Sequence, residues 1–167
     1  MDEIVNKVAA SGIITIDLEE HYPGGERAFI DLASQLWQGV ALREKDFRNW
    51  IATHEWSQYS GKHVAVFCSV DAIIPAWAFM LVASALSDEA TTVVFGNAQT
   101  LEEVLFRKVV EELDAESYRD KRCVIKGCSN RPVPQSAYVD VVVKLRPVAR
   151  SIMFGEPCST VPVFKRS

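Results

Sequence analysis

The residues best suited to chemistry in this chain of 167 residues are its four cysteines, Cys68, Cys123, Cys128 and Cys158. A thiolate can act as a nucleophile, as a redox group, or as a ligand for zinc or an iron–sulfur cluster. Three of the four are followed directly by serine, and Cys123 is the exception. Intervals of 60 and 30 residues separate those three, and no Cys-x-x-Cys pair occurs, so their spacing alone carries no metal signature.

The elements that must position these cysteines alternate in type from Lys62 onwards. Strands are predicted at residues 64–68, 92–95 and 123–128. A predicted helix follows each strand. The first covers about residues 74–86, the second begins at the capping-box pattern of Thr100 and Glu103, and the third begins near Pro134. Residues 139–143 are β-branched enough to favour a strand as well. This alternation is typical of a parallel sheet with right-handed crossovers.

The flanking segments add smaller elements to this core. A short amphipathic helix is predicted at residues 4–9, a helix at 43–56, and an antiparallel hairpin from strands at 13–18 and 28–36. Near the carboxyl terminus, residues 152–154 and 161–164 are predicted to form one or two short strands. They are placed at an edge because Pro162 lacks the N–H that a strand inside a sheet donates to its neighbour. The four tryptophans are expected in the core.

The predicted fold class is α/β, a mostly parallel sheet flanked by helices, with an added N-terminal helix and β-hairpin and a short C-terminal edge strand. We expect a single domain over residues 1–167. It would comprise an N-terminal part at 1–60, a βαβαβα core at 61–150 and an edge segment at 151–167. No internal repeat is evident in the sequence.

Strand polarity sorts the cysteines. Ligands of open parallel sheets bind at the carboxyl ends of the strands, where Cys68 and Cys128 are predicted to lie. Cys123 begins the third core strand, roughly 16 Å from that edge at about 3.3 Å per residue, and is assigned to packing. The same distance separates His63 from Cys68. His54 lies on the apolar stripe of a helix, which leaves His21 as the free candidate for a base.

The leading hypothesis is a three-cysteine site at Cys68, Cys128 and Cys158 that binds zinc or an iron–sulfur species. Asp71, His21 or a water would complete the ligand shell. Polar residues beside the cysteines are the further predicted contacts of a bound group: Ser69, Ser129, Asn130, Ser159 and Thr160.

Two alternatives remain open. One is a thiol-dependent enzyme, in which Cys68 or Cys128 is the nucleophile and backbone N–H groups at Ser69 or Ser129 stabilise an oxyanion. The other is a non-catalytic binding or scaffold module, in which the cysteines only pack.

Charge and hydropathy exclude several classes. With 18 Lys and Arg against 22 Asp and Glu, the net charge of -4 argues against a protein that coats nucleic acid. The opening residues do not resemble a signal sequence, and the longest apolar run, at residues 72–86, is too short for a membrane span. We therefore expect a cytoplasmic protein with reduced thiols, no membrane or nucleic-acid partner, and an oligomeric state that the sequence does not give.

Three segments that contain cysteines resemble an uncharacterised bacterial family, domain of unknown function 2480. They are Cys68-Ser-Val-Asp-Ala-Ile-Ile-Pro75, Lys126-Gly-Cys-Ser-Asn-Arg-Pro-Val-Pro134 and Ser151-Ile-Met-Phe-Gly-Glu-Pro-Cys-Ser-Thr-Val-Pro162. The resemblance covers nearly the whole chain, including residues 3–8, 46–48 and 56–59. The family has no established activity. Its association with gene neighbourhoods for assembling iron–sulfur clusters by sulfur mobilisation implies iron–sulfur assembly proteins as partners and an accessory role in that assembly.

Overall fold

The structure is a computed structural model that describes residues 12–127, 130–156 and 158–167. Its main elements, in chain order, are β1 (Ile13–Ile16), β2 (Arg27–Asp31), α1 (Glu44–Thr53), β3 (His63–Phe67), α2 (Ala76–Leu86), β4 (Thr92–Phe95), α3 (Ala98–Glu112), β5 (Arg122–Ile125), α4 (Gln135–Leu145), β6 (Ser151–Glu156) and β7 (Ser159–Lys165). The α/β class is confirmed. The N-terminal helix predicted at residues 4–9 lies outside the described residues.

The strands form two separate sheets. One has the order β1-β5-β6-β7 and is parallel except for β7, whereas the other has the order β2-β3-β4 and is wholly parallel. The chain correspondingly divides into two compact units. The first unit contains the described residues of Met1–Pro23 and Leu105–Ser167, and the second contains Gly24–Val104. The single domain over residues 1–167 stays a prediction. Within that range, the buried residues form a separate core in each of the two units.

The two N-terminal strands are present, but they do not pair with each other as the predicted hairpin. β1 lies parallel to β5, with Ile16 beside Ile125. β2 lies parallel to β3, with Ile30 beside Val66. An alternating strand and a glycine-containing turn do not specify the partner strand, and here each partner lies far along the chain.

In the second unit, α1 and α2 cover the core face of the three-stranded sheet. Ala78, Val82 and Leu86 recur along one side of α2 and are all buried, together with Phe47 of α1 and Val64 of β3. This spacing of four residues keeps one stripe of the helix against the sheet.

In the first unit, α3 and α4 contribute to the core around the four-stranded sheet. Ala137, Val141 and Leu145 form the buried stripe of α4, packed with Phe106 of α3 and Ile125 of β5. The helical reading of residues 139–143 is thereby confirmed, since the buried stripe outweighs the strand preference of the β-branched side chains. α3 begins in the second unit and ends in the first.

The C-terminal strands complete the first sheet. β6 lies between β5 and β7, and β7 forms the edge with an antiparallel partner. Pro162 is on β7, so the prediction that this residue belongs to an edge strand is confirmed. Within the described ranges, no helix combines the length and apolar character that crossing a membrane requires.

The two units repeat one arrangement of strands and helices at a spacing of 59 residues. In each, a 3₁₀ turn, a parallel strand, an eleven-residue helix and a second parallel strand follow in order. Ala90 and Ala149 make the same hydrogen bond, each donating its N–H at 2.8 Å to the carbonyl of the last leucine of its helix. Identical residues at this spacing are Tyr59 and Tyr118, Lys62 and Lys121, Pro75 and Pro134, Ala78 and Ala137, Val82 and Val141, Leu86 and Leu145, Ala90 and Ala149, Phe95 and Phe154, and Gly96 and Gly155.

Candidate functional site

The carboxyl edge of the second unit begins with Asp31, the last residue of β2. Its Oδ1 accepts the N–H of Ala33 at 2.9 Å and the N–H of Ser69 at 3.0 Å. Burial opposes ionisation of this carboxyl, but the hydrogen bonds from Ser69 and Ala33 outweigh it and lower the pKa of Asp31. Asp31 thus caps a 3₁₀ turn and ties the loop after β3 to β2.

Cys68 follows β3 at the same edge, as predicted. Its side chain is half-buried, and its thiol donates a hydrogen bond to the carbonyl of Val70 at 3.5 Å. Ser69 and Asp71 are exposed beside it. The predicted placement of Cys68 at a sheet edge is confirmed.

The carboxyl edge of the first unit is built around Asp17, which follows β1. Asp17 accepts the N–H of Glu19 at 3.0 Å and pairs with the Lys126 ammonium at 2.7 Å. The hydrogen bond from Lys126 lowers the pKa of Asp17 against the opposing effect of burial. Arg131 donates its backbone N–H to Glu19 at 3.3 Å and places its guanidinium 5.1 Å from the ring centre of Tyr22.

The predicted three-cysteine metal site is wrong. Among the residues that the structure describes, no group of three or more His, Cys, Asp or Glu side chains could hold a metal ion. The prediction placed the first and third core strands in one sheet, but β3, which leads to Cys68, and β5 lie in different sheets. Cys158 lies in the turn between β6 and β7, and Cys128 is outside the described residues. The zinc or iron–sulfur function, with Asp71 as an added ligand, is therefore not supported.

The other predicted contact residues are dispersed. Asn130 is exposed after β5, Ser159 and Thr160 begin β7, and Ser129 lies outside the described residues. The Thr160 hydroxyl lies 3.6 Å from the sulfur of Met153 on the neighbouring strand. The role of these residues in holding a bound group stays a prediction.

Cys123 is a packing residue, as predicted. It is fully buried in the core of the first unit, and burial raises the pKa of its thiol to about 11. A thiol in this environment is protonated at neutral pH and is a poor nucleophile.

Two of the three histidines, His54 and His63, occupy structural positions. His54 lies among Trp50, Trp56 and Tyr59, with its Nε2 3.2 Å from the Tyr59 hydroxyl. His63 Nε2 donates to the carbonyl of Gly24 at 2.8 Å. His21 lines a cavity of about 360 Å³ in the first unit that also contains two carboxylates, Glu112 and Asp114. Across the described ranges, no histidine nitrogen is hydrogen-bonded to a thiol.

An apolar surface beside Cys68 was missed by the sequence analysis. It consists of Trp37, Val40, Val70 and Ile73, and we call it the edge patch. Ile73 is 91% exposed and Trp37 is 42% exposed, so the expectation that Trp37 lies in the core is wrong. Isolated β-bridges join Trp37 to Ala41 and Ala41 to Ile73, which fixes these loops together. The signal in the sequence was Gly39, which interrupts the apolar run with a left-handed turn.

A second exposed apolar surface lies on α2 and β4, and we call it the α2–β4 face. Met80 is 69% exposed and Phe95 is 71% exposed. They line a cavity of about 270 Å³ with Val66, Phe79 and Ala83. The rings of Phe79 and Phe95 meet edge to face, with centroids 5.0 Å apart.

The first unit has a corresponding surface on α4 and β6. The rings of Tyr138 and Phe154 meet edge to face with centroids 5.6 Å apart. A cavity of about 330 Å³ lies beside them, and Val163 of β7 forms one of its walls. Here the sheet continues beyond β6, because β7 pairs with it.

Comparison with known proteins identifies a family but no characterised relative. No curated protein and no solved structure matches the chain. The sequence model of the family described as "Protein of unknown function (DUF2480)" matches residues 2–166. This match spans almost the whole chain, and the protein therefore belongs to the DUF2480 family.

Proposed function

We propose that the protein is a non-catalytic binding module that docks a partner protein on the edge patch. The observation that carries this proposal is the exposure of Ile73, whose backbone is held in a β-bridge with Ala41 while 91% of its surface faces solvent. An isoleucine held outward on an ordered loop, next to an exposed tryptophan, is characteristic of a protein-binding surface. Covering the Ile73 side chain would contribute about 1.5–3 kcal/mol to a complex.

The chemistry of the edge patch specifies the kind of partner. The Arg43 guanidinium stacks on Trp37 at 4.3 Å from its ring centre, and its nearest carboxylate, Asp46, is 3.7 Å away. Tryptophan and arginine dominate binding energy at many interfaces, and arginine pairs well with carboxylates. The partner that fits presents an apolar anchor residue with an acidic residue beside it.

The thiol of Cys68 offers an internal reporter of docking. Val70, which belongs to the edge patch, accepts the hydrogen bond of the Cys68 thiol. A partner that covers Val70 and Ile73 would limit access of solvent to this half-buried sulfur. Alkylation of Cys68 should therefore slow in the complex, while alkylation of the exposed Cys158 should not change.

Iron–sulfur assembly proteins are the first partners to test. They are implied by the gene neighbourhoods associated with the family, and docking on the edge patch requires no metal in this chain. The cytoplasm is the proposed location, which fits the free thiols of Cys68, Cys123 and Cys158.

A photoreactive amino acid at position 40 tests the proposal in the full chain. We expect a cross-linked product with one recurrent protein, and we expect Ile73→Asp to abolish it. Val143→Asp is the control, because Val143 is also an apolar residue that is largely exposed, but it belongs to the first unit.

The complex is then reconstituted from the two purified proteins to test the chemistry of the interface. Arg43→Glu should weaken binding at least tenfold, and exchanging the partner's adjacent carboxylate for lysine should restore it. Cross-linking that survives Ile73→Asp, or binding that is indifferent to Arg43→Glu, would overturn the proposal.

A further inference from the structure

We propose that two copies of the chain form a two-fold dimer through the α2–β4 face. In this dimer β4 of one copy pairs antiparallel with β4 of the second, and the two α2 helices pack side by side. The edge patch takes no part in this contact, so the inference goes beyond the proposed function and does not depend on it.

The first support is the character of β4 as an edge strand. Its sequence from Thr92 to Phe95 contains no charged residue and no proline, and Phe95 is largely exposed. Edge strands that remain unpaired are usually blunted by charge, proline or a bulge. β7 shows such features, because it carries Pro162 and Lys165 and its pairing with β6 contains a register shift. β4 lacks all three.

The second support is the outer surface of α2. The helix contains no charged residue from Ala76 to Leu86, whereas a helix that faces water normally has a polar side. Met80 protrudes from it, and the nearby outward positions are occupied by small residues, Ala76, Ala83 and Ser84. A methionine beside small residues supplies both a protruding group and the space to receive one, so this surface is complementary to its own copy.

The geometry of a continuous sheet brings the two helices to a packing distance. Neighbouring strands lie about 4.8 Å apart, so a helix lying over β3 and β4 would be about 10 Å from its symmetry-related copy. Packed helices are 8–10 Å apart. Met80 and Ala83 of α2 line the cavity on this face together with Val94 of β4. The middle of the helix and the middle of the strand would therefore both lie close to the two-fold axis.

The hydrogen bonding of β4 favours a register centred on Val94. Gly96, the residue after β4, donates its N–H at 3.0 Å to the Val66 carbonyl of β3, which lies beside Phe95 in the register of the two strands. Alternation along a strand then directs the N–H and C=O groups of Val94 toward β3 and those of Val93 and Phe95 away from it. With the two Val94 residues opposite each other at the dyad as a non-hydrogen-bonded pair, Val93 of each copy can exchange both hydrogen bonds with Phe95 of the other.

The first unit shows the same kind of contact within one chain. β7 covers the outer side of β6 in antiparallel orientation, and Phe154 lies opposite Val161. Phe154 is the counterpart of Phe95 in the repeat. An antiparallel strand that supplies valine beside the phenylalanine is therefore what a second copy would provide to β4.

Light scattering on the full chain during size-exclusion chromatography tests the dimer. We expect a mass of about twice the 18.6 kDa of one chain. Met80→Glu places two carboxylates near the dyad and should raise the dissociation constant at least tenfold. Val93→Pro should act in the same direction by removing one donor from each hydrogen-bonded pair beside the dyad. Val139→Glu is the control, since Val139 is the exposed counterpart of Met80 in the first unit.

A mixture of charge variants makes the test specific to this face. Copies with Met80→Lys and copies with Met80→Glu should each be monomeric, and their mixture should recover the dimer. Circular dichroism confirms that each variant is folded. A wild-type monomer at 100 μM, or a dimer that is unaffected by both Met80→Glu and Val93→Pro, overturns the inference. Cross-linking at position 40 tests the edge patch, and light scattering tests the dimer. Either proposal can therefore fail while the other holds.

Discussion

The two units of this protein share a framework and differ in what they leave exposed. In both, the last strand of the repeat carries a phenylalanine that meets an aromatic ring of the preceding helix edge to face. In the first unit, β7 extends the sheet beyond that strand. In the second, β4 is the edge of the sheet. The repeated residues thus maintain the fold, and the differences at the edges indicate where binding would occur.

The two aspartates at the carboxyl edges of the sheets also share one structural contact and differ in a second. Asp17 and Asp31 each occur in an Ile-Asp-Leu sequence, and each caps the chain two residues ahead through a backbone N–H. Their additional partners differ, since Asp17 pairs with the Lys126 side chain and Asp31 accepts the Ser69 N–H. The shared bond is structural, and the second partner adapts it to the loop of each unit.

The largest expected effect comes from the corresponding leucines Leu86 and Leu145. Both are fully buried at the same place in the repeat. Leu86→Ala and Leu145→Ala should each lower the free energy of unfolding by about 2–5 kcal/mol, because each leaves a cavity. Urea denaturation followed by tryptophan fluorescence and circular dichroism measures both. A loss below 1 kcal/mol at either position would break the equivalence of the two cores.

Cys123 and Val64 also correspond, and both are fully buried. Cys123→Val should therefore change the free energy of unfolding by less than about 1.5 kcal/mol, as volume-conserving core exchanges do. Since burial raises the pKa of Cys123 to about 11 from an ordinary 9.0, its thiolate fraction at pH 8 should be about 100-fold smaller than that of an unperturbed thiol. Alkylation measured by mass spectrometry should modify Cys158 first. Early loss of the Cys123 thiol in native protein would contradict its assignment to packing.

Gly96 and Gly155 are equivalent in the repeat, but Gly96 follows β4 whereas Gly155 lies within β6. Their φ angles are +141° and +122°, which side chains rarely adopt. A Cβ at Gly96 would lie 2.6 Å from the Thr100 side chain, whereas one at Gly155 would lie 2.6 Å from the Ser159 carbonyl oxygen. Both alanine variants should lose about 1–3 kcal/mol, and Gly155→Ala should lose more because a backbone atom cannot rotate away. Thermal unfolding ranks them, and the reverse order would contradict this comparison.

Local elements were predictable from the sequence because their signals are local. The alternation of strands and helices identified α2, β4 and α4, and the stripe of Ala137, Val141 and Leu145 was correctly read as helical. The pairing of strands was not predictable in this way. β1 pairs with β5, more than 100 residues away, and a strand pattern is the same whether its partner is adjacent or distant. The three-cysteine site failed for this reason, because it required Cys68 and Cys128 to follow strands of one sheet.

The internal repeat was also hidden from sequence reasoning. The residues that recur at a spacing of 59 are mostly small or apolar types that many helices and strands contain, such as Ala78 and Ala137. Two signals were nevertheless present. Phe-Gly closes both repeats, and Ile-Asp-Leu occurs twice ahead of them, although at a spacing of 14 residues and not 59. The edge patch was missed because an apolar residue such as Ile73 is predicted to be buried from its type alone. Its exposure depends on how the loop is held, here by a bridge to Ala41, and the sequence pattern does not show that bridge.

The smallest expected effect concerns the charges that distinguish the two carboxyl edges. The Lys126 ammonium lowers the pKa of Asp17, so this group stabilises the fold above its unfolded pKa of about 3.9. That contribution is lost as the pH falls through the lower, folded pKa. Asp17→Asn should cost about 1 kcal/mol at pH 6 and almost nothing at pH 2, whereas the exposed control Glu20→Gln should cost little at either pH. Urea denaturation at both pH values measures the difference. An Asp17→Asn cost that does not change with pH would show that the pair with Lys126 is not what separates this edge from that of Asp31.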